Sequence, residues 1–526
     1  MENAKKIERA LISVYDKTEL ATLVIFLKSH GIEIISSGGT ARHLAEHGIS
    51  VTDIATMGQV KEILDGRIKT LDWRIHGGIL GDRSNPSHND TIERLGLLPI
   101  DLVVVNFYPF ASIATQKDRS IDELIENIDI GGPAMLRSAA KNHAHVVVLH
   151  HEGQYRHFID HYQENHGTSL GFRQKCAQQA FGYSYAYDQT IAQVLCEEFS
   201  GQSESTFINL SNKKALRYGE NPHQTAKIHL FDAVSDKVCI PAYHMSSQRE
   251  LSYNNILDAH SAIWALRCLG DQQQLGGHAS AIIKHGIPCG AAIASTQEEA
   301  IKKAIASDEQ SAFGGILATS SLFTENCAIA VDDRFLELIV APGFSDQAIA
   351  MLSKKRNLLL LPIANLMTGA LDEVSYRSIF GGILSQSRDH TEENPSEWSI
   401  VSEVKPTSYE LLAMEFANRI VKAIPSNAIA IASIDHLYGV GAGQPSRIQS
   451  AELAFVGAKT RHFDLSKAAM ASDGFFPFGD CLELAHRHGC RLVIQPGGSI
   501  RDQEIIDVAN RLGMAMVFTH KRHFKH

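Results

Sequence analysis

The run ALISVYDKTELATLVIFLKSHGIEIISSGGT, residues 10–40, holds a complete strand–helix–strand unit. ALISVYD (10–16) is an apolar run of strand length. Asp16 and Glu19 fit a capping box for the helix that follows, where Leu20, Leu23, Val24 and Leu27 recur at helical spacing. IEIIS (32–36) is a second strand, and SSGGT leads into a helix near Ala41–His47. The alternation continues outward. VTDI (51–54) is a third strand candidate, and DLVVVNFYPF (101–110) a buried strand emptying into an aromatic-Pro loop. GGPAMLRSAAKN (131–142) is a helix entered through glycines, and HVVVL (145–149) another strand. Strands alternating with helices predict an α/β fold, a parallel sheet with helices on both faces.

A boundary is expected near Gly201–Thr206, where GQSEST separates a helix (172–198) from a new pattern. The rest is again mixed α and β, with glycine signals in AFGGI, FGGIL, GVGAGQ and QPGGS. AIIKHGIPCGAAI (281–293) reads as strand, loop, then helix. CRLVIQPGGS (490–499) reads as strand then loop, Asp502–Leu512 as a helix and MAMVFT (514–519) as a strand. This half exceeds the usual single-domain size, which predicts two lobes. No sequence repeat is visible.

At roughly 150 residues per domain, 526 residues imply three or four domains or two large ones. Apolar residues at 44% and charged residues at 21% exclude a disordered, collagen-like or low-complexity chain. The net charge of −10 argues against non-specific binding to nucleic acid or an anionic membrane, yet allows a local basic pocket for a small anion. The eight cysteines include no C-x-x-C pair, which speaks against a disulfide framework or zinc ribbon and fits a reducing cytoplasm. MENAKKIERALISVYDK has no apolar signal-peptide core, and LLLLPIANLM, interrupted by Pro362, is too short to span a bilayer.

Several motifs carry chemistry. SSGGT (36–40) sits between strand and helix, where backbone N–H groups can hold an anion; an ordinary loop is the competing reading. GGP (131–133) opens a helix in the same way. GRIKT (66–70) places Arg67 and Lys69 on one side of a strand, with His76 nearby, or on a solvated basic edge. Lys284-His285, at a strand end, can supply a charge and a general base. Pro288-Cys289 lacks the P-C-x-x-C and H-x-E of zinc deaminases, so no zinc is expected. Walker A and G-x-G-x-x-G are absent.

Taken together these strings resemble the bifunctional purine biosynthesis family, which joins 5-aminoimidazole-4-carboxamide ribonucleotide (AICAR) formyltransferase to inosine monophosphate (IMP) cyclohydrolase. The N-terminal carriers are SVYDKT, SSGGTA, GRIKTL, IHGGIL, NFYPF, ENIDIGG and SAAKNHAHV. The C-terminal carriers are LRYGENPHQ, LSYNNILDA, KHGIPCGAA, SAFGGI, PSNAIAIA, GVGAGQPSR, ASDGFFPF, IQPGGS and KRHFKH. The resemblance implies a methylglyoxal-synthase-like parallel-sheet domain over 1–200, catalysing ring closure. Over 201–526 it implies two cytidine-deaminase-like α/β lobes without zinc, catalysing formyl transfer from 10-formyltetrahydrofolate. It also implies small-molecule nucleotide and folate substrates, a homodimer, and a structural potassium ion near Asp473 and the terminal carbonyls.

By the same resemblance, His285 is the base in formyl transfer, Lys284 stabilises charge or relays a proton, and Asn427 orients the ring and formyl group. Arg217, Tyr218, His223 and Arg447 surround the nucleotide. Phe475 and Phe476 offer a flat face to folate, at least one of them sitting in the core, with Asp480 nearby. For ring closure, Tyr108 and Lys141 polarise the formyl oxygen and Asp129 handles protons. Lys69, Thr70, Ser13, Lys17, Ser37, Gly38, Gly39 and Thr40 hold phosphate, and Arg67 and Asn106 place the base. The sequence departs from the family pattern at Asp72 (His in KTLHP), at Tyr15 and Glu19 (in SDKTG), and at Ile287 (Asn before Pro-Cys-Gly). Asp72 is expected to pair with a local arginine, Arg74 first, or to face solvent. Were it to impair closure, only the formyltransferase would remain; a nucleotide sensor without turnover is the non-enzymatic alternative.

Overall fold

The computed structural model describes residues 4–36, 38–54, 70–200, 208, 210–231, 237–240, 250–270, 277–391 and 393–526. Ser37, Arg67, Lys69 and the whole GRIK stretch fall outside them. The chain divides into two compact units, Met1–Phe207 and Ile208–His526.

In the first unit five strands, β1 (Arg9–Ser13), β2 (Glu33–Ser36), β3 (Thr52–Asp53), β4 (Leu102–Val105) and β5 (Val147–Leu149), form one sheet in the order β3-β2-β1-β4-β5. Every pairing is parallel, with Ala10 beside both Ile34 and Leu102. The strands are buried apolar runs because helices cover both faces. The helix Leu20–Ser29 buries Leu20, Leu23, Val24 and Leu27. No capping box starts it. Asp16 instead accepts from the Thr18 N–H and hydroxyl, and Glu19 sits left-handed at φ 56° with no cap bond. Asp16 lies three residues before the cap position at Glu19, too early to cap the first turn, so it closes a local Asx-turn. The second helix starts at Gly38, earlier than its apolar pattern suggests, and runs to Glu46.

The second unit begins with a hairpin, β6 (Leu210–Leu216) and β7 (Ala226–Phe231). Two lobes follow. The first contains β8 (His278–Lys284), β9 (Ile287–Ala294), β10 (Gly315–Thr319), β11 (Leu336–Ala341) and β12 (Leu359–Pro362), ordered β12-β11-β10-β8-β9. A second hairpin, β13 (Val374–Ile379) with β14 (Gly382–Ser387), leads onward. The second lobe contains β15 (Ser399–Ile400), β16 (Ile429–Ala432), β17 (Leu437–Gly441), β18 (Ala469–Ser472), β19 (Leu492–Gln495) and β20 (Ala515–Phe518), ordered β15-β20-β19-β18-β16-β17. Each lobe is an antiparallel hairpin, then a strand antiparallel to it, then two parallel strands. One topology thus occurs twice where the sequence shows no repeat. The helices Tyr253–Leu269 and Ser408–Val421 share one apolar core with both sheets.

Residues 281–293 form the hairpin β8/β9, not strand, loop and helix. Alanine-rich sequence suggests a helix on propensity. Here the small residues serve packing instead. A Cβ at Gly290 would lie 1.9 Å from the Ala304 carbonyl oxygen on the helix Gln297–Ser307. The second lobe repeats this: Cβ atoms at Gly439 and Gly441 would lie 2.1 and 1.8 Å from the Ala454 and Ser450 oxygens on the helix Arg447–Thr460. The glycines of PCGAA and GVGAGQ let a helix lie close on a strand.

The terminal segment is fastened by buried polar groups. His523 places Nδ1 on Asp389 and Nε2 on Glu393, the latter at 2.7 Å. The Lys525 carbonyl accepts from the Ser426 N–H at 2.8 Å.

Candidate active sites

In the first unit the strand order reverses between β1 and β4, and such a switch opens a crevice beyond the strands' C-terminal ends. A cavity of about 590 Å³ lies there. Ser13, Tyr15 and Lys17 line it after β1, Gly39 and Thr40 after β2, and Asn106 and Tyr108 after β4. Thr70, Glu126, Asp129, Gly131 and Gly132 complete the wall. Eight of the expected residues, from five separate stretches, thus meet around one space: Ser13, Lys17, Gly39, Thr40, Thr70, Asn106, Tyr108 and Asp129.

Their contacts refine several expectations. Gly39 faces open space, whereas Gly38, at φ 54°, supplies the left-handed turn and does not line the cavity. The Thr40 hydroxyl donates to the Val14 carbonyl at 2.9 Å and accepts from the Val14 N–H, so it ties strand to helix. The Asn106 oxygen accepts from the N–H groups of Tyr15 and Asp16, and its amide donates to the Asp16 carbonyl. Asn106 therefore holds the loop after β1, with one of its two amide hydrogens committed to the Asp16 carbonyl. Tyr108 is half-exposed and meets Tyr15 edge-on at 5.8 Å.

Asp129 accepts from the Gly132 N–H at 2.8 Å and so caps the helix Gly131–Lys141. The two glycines are needed for room: a Cβ would lie 2.4 Å from Thr70 Oγ1 at Gly131 and 2.6 Å from Asp129 Oδ2 at Gly132. Burial pushes the Asp129 carboxyl above its ordinary value, against the opposing pull of backbone N–H groups. Lys141 is exposed at the far end of that helix, about 15 Å along its axis from Gly131, and does not line the cavity. His76, near the GRIKT motif, is half-buried. It bonds Ser138 at 2.9 Å, and burial lowers its pKa. Asp72 caps the helix Trp73–Leu80, accepting from the Arg74 N–H at 2.7 Å and pairing with its guanidinium at 3.5 Å.

Sequence reasoning missed Tyr183 and Tyr187 on the helix Leu170–Ser200. The Tyr183 hydroxyl accepts from the Phe107 N–H at 3.2 Å, and the Tyr187 hydroxyl from the Asp129 N–H at 2.8 Å. Their four-residue spacing in AFGYSYAYDQ, one helix face, was the available signal.

In the second unit Lys284 ends β8, and His285 and Gly286 turn the hairpin at φ 52° and 77°. Both N–H groups of the turn donate to Asp258, at 3.2 and 2.7 Å. Asp258 sits in LSYNNILDA and was not singled out. With the strand ended, Lys284 and His285 line one cavity of about 400 Å³ with Cys289, Asp308, Tyr438, Ala442 and Arg461. Lys284 donates to the Phe313 and Gly314 carbonyls, both at 2.9 Å, while the His285 imidazole is exposed and makes no hydrogen bond among the described residues. Burial pushes the Cys289 thiol up to about 12, so it is inert.

The other expected residues lie elsewhere. Arg447 is buried, with its guanidinium on Asp473, Ser472 and Asn427. The Asn427 amide donates to the Gln444 and Pro445 carbonyls. Asn427 is half-buried and Arg447 is buried, and each is already hydrogen-bonded within the protein. Both Asp473 oxygens are engaged, by Arg447 and by the Ser426 hydroxyl. A carboxylate oxygen with a single partner keeps a further acceptor position. Arg217 stacks over Tyr218 at 4.7 Å and bonds its hydroxyl; with exposed His223 they belong to neither cavity. Phe476 is fully buried and cannot offer a face to folate; Phe475 is exposed, and Asp480 accepts from the N–H of Cys481. Among the described residues no cluster of three His, Cys, Asp or Glu side chains could hold a metal, and no helix is long and apolar enough to cross a membrane.

A family model described as the AICARFT/IMPCHase bienzyme matches residues 139–456, and one described as an MGS-like domain matches 19–134. The chain is 43% identical over 522 residues to the bifunctional purine biosynthesis protein PurH of Prochlorococcus marinus, covering 98% of this chain and 99% of the relative. It is 41% identical to the PurH proteins of Lactobacillus acidophilus (99% and 100% covered) and Persephonella marina (98% and 99%).

Proposed function

The chain belongs to the AICARFT/IMPCHase bienzyme family, and from that premise we propose how its residues divide the last two steps of IMP synthesis. The first step transfers a formyl group from 10-formyltetrahydrofolate to AICAR, and the second closes formyl-AICAR to IMP. Ring closure is assigned to the first unit and formyl transfer to the second. The observation that carries the assignment is the meeting of Ser13, Lys17, Gly39, Tyr108 and Asp129 at the β1/β4 switch point.

In closure the carboxamide nitrogen bonds the formyl carbon. Water leaves with the formyl oxygen, one carboxamide proton and the formamide proton. Tyr108 polarises the formyl oxygen. Asp129, made more basic by burial, takes the carboxamide proton and returns it to the departing oxygen. Lys17, Ser13 and the helix N-terminus at Gly39 hold the phosphate. Lys69, Arg67 and Ser37 belong to the same proposal on family resemblance alone.

In formyl transfer the AICAR amine bonds the formyl carbon and tetrahydrofolate N10 leaves with a proton. His285, exposed and unbonded at its turn, is the base; Lys284, with one N–H beyond the two it spends on carbonyls, meets the oxyanion. Phe475 is the accessible ring for the pterin. We read the two lobes as the cytidine-deaminase-like pair, which their common strand order supports. The chain is proposed to act as a cytoplasmic homodimer, its eight cysteines all free. The exposed hairpin side chains Ile379, Phe380, Ile383 and Leu384 support self-association. The decisive assay supplies AICAR and 10-formyltetrahydrofolate and follows tetrahydrofolate and IMP together. Formation of both establishes the reading; tetrahydrofolate without IMP leaves a formyltransferase only, and neither product leaves a binding protein.

A further inference from the structure

The two side chains assigned to ring closure sit on different loops. Tyr108 follows β4, and Asp129 precedes the helix Gly131–Lys141. The Tyr108 N–H acts on the Asp129 carboxyl, so the two loops also meet directly. Both are held to a third element, the helix Leu170–Ser200. Tyr183 takes the N–H of Phe107, the residue before Tyr108. Tyr187 takes the N–H of Asp129 itself and donates to the Asn127 carbonyl at 3.4 Å. The Phe107 ring lies against both tyrosine rings, at 4.5 and 4.8 Å between centroids, and His150 stacks on Tyr183 at 4.6 Å.

Two residues four apart on a helix lie one above the other, about 6 Å along the axis. A helix is stiff where a loop is not. Burial raises the pKa of both phenols, Tyr187 to about 12, so each stays neutral and keeps its hydrogen bonds throughout the working pH range.

We propose that Tyr183 and Tyr187 are positioning residues for ring closure, setting the spacing between the Tyr108 phenol and the Asp129 carboxylate from a single helix. This rests on the assignment of closure to the first unit. It makes the hydroxyls, not only the rings, matter to turnover. Neither hydroxyl lines the cavity, so substrate affinity is untouched by them. The groups around Asp129 are Lys17 and Tyr15 from the loop after β1, Glu126 before it, Tyr108, and the two tyrosines.

The test replaces each hydroxyl and keeps each ring, as Tyr183→Phe and Tyr187→Phe in the full chain. Closure of supplied formyl-AICAR should lose on the order of tenfold or more in kcat, since small misplacements of reacting groups are costly, with KM within about threefold. The second readout needs no turnover. The Asp129 carboxyl, followed by carbon NMR with pH, should titrate lower in Tyr187→Phe than in wild type, because an unanchored loop lets water reach it. Formyl transfer by the same preparations reports the fold of the second unit, and thermal unfolding that of the first. Unchanged kcat in both variants overturns the proposal. So does a fall in kcat with no change in the Asp129 titration, which reduces the tyrosines to packing. A wild-type protein that fails to close the ring overturns the functional assignment instead, and the Asp129 titration then still decides whether Tyr187 fixes that carboxylate.

Discussion

Asp129 shows how a single side chain is pulled two ways. Burial makes it a better base, yet a buried carboxylate with a raised pKa opposes folding. Above its ordinary value of 3.8 the unfolded state sheds the proton more readily, so its cost to stability grows as pH rises toward the raised folded value and stays beyond it. Asp129→Asn keeps an acceptor for the Gly132 N–H and removes the charge. It should lower kcat for closure by about 10²–10⁴-fold while raising the melting temperature at neutral pH. A fall in both would remove Asp129 from the chemistry and make it structural. His285→Ala should cost formyl transfer a similar factor and spare closure, measured on the same preparation. Asp72 behaves as a helix cap. Asp72→Ala should cost about 1 kcal/mol in chemical denaturation, and Asp72→Asn should keep the cap and change the KM for closure less than tenfold.

At the scale of elements, the β8/β9 hairpin exists because Gly290 lets the helix Gln297–Ser307 lie against it. Gly290→Ala must move that helix or the strand, at about 3 kcal/mol, the upper part of the range for overpacking. Gly39→Ala meets open space and should leave stability nearly unchanged while weakening nucleotide binding; the two substitutions, compared by denaturation and by product titration, separate a packing glycine from a ligand-facing one. The same contrast explains what the sequence disclosed. The parallel sheet of the first unit was legible, since LVVV and EIIS are buried on both faces and helices separate them. The 281–293 hairpin was not, because alanine and glycine there answer to a helix that packs from outside the local sequence. Motifs marked most of the two cavities, but not which side chains face inward: Arg447 and Asn427 are bonded to Asp473, Gln444 and Pro445. The spacing of Tyr183 and Tyr187 marks a helix face, but their partners, the N–H groups of Phe107 and Asp129, lie on distant loops that no local pattern announces.

For the molecule as a whole, the division at 207 predicts that residues 1–200 close formyl-AICAR without folate, checked on soluble fragment; sedimentation of the full chain should give a dimer at assay concentration. The terminal clasp gives the second unit a pH signature. Against burial, which would raise it, the Asp389 carboxyl is held down at about 2 by His523 and Lys422, and His523 is raised by its two carboxylates despite burial. Stability from the imidazolium is full below its ordinary value of 6.5 and lost as pH rises through the raised folded value. That from Asp389 is full above 3.8 and lost as pH falls toward 2. Unfolding of this unit should be most resistant between those limits, and His523→Gln should flatten the curve. The matching lobes carry one more consequence. Two copies of one strand plan, each with glycine beneath the helix that follows its hairpin, differ at their hairpin turns. In the second lobe His436 is bound to Asp435, which also holds Lys303 and lends its carbonyl to the Ile293 N–H. One hairpin turn is mortared to the other lobe through Asp435, while at the other turn the His285 imidazole is left without a hydrogen bond among the described residues.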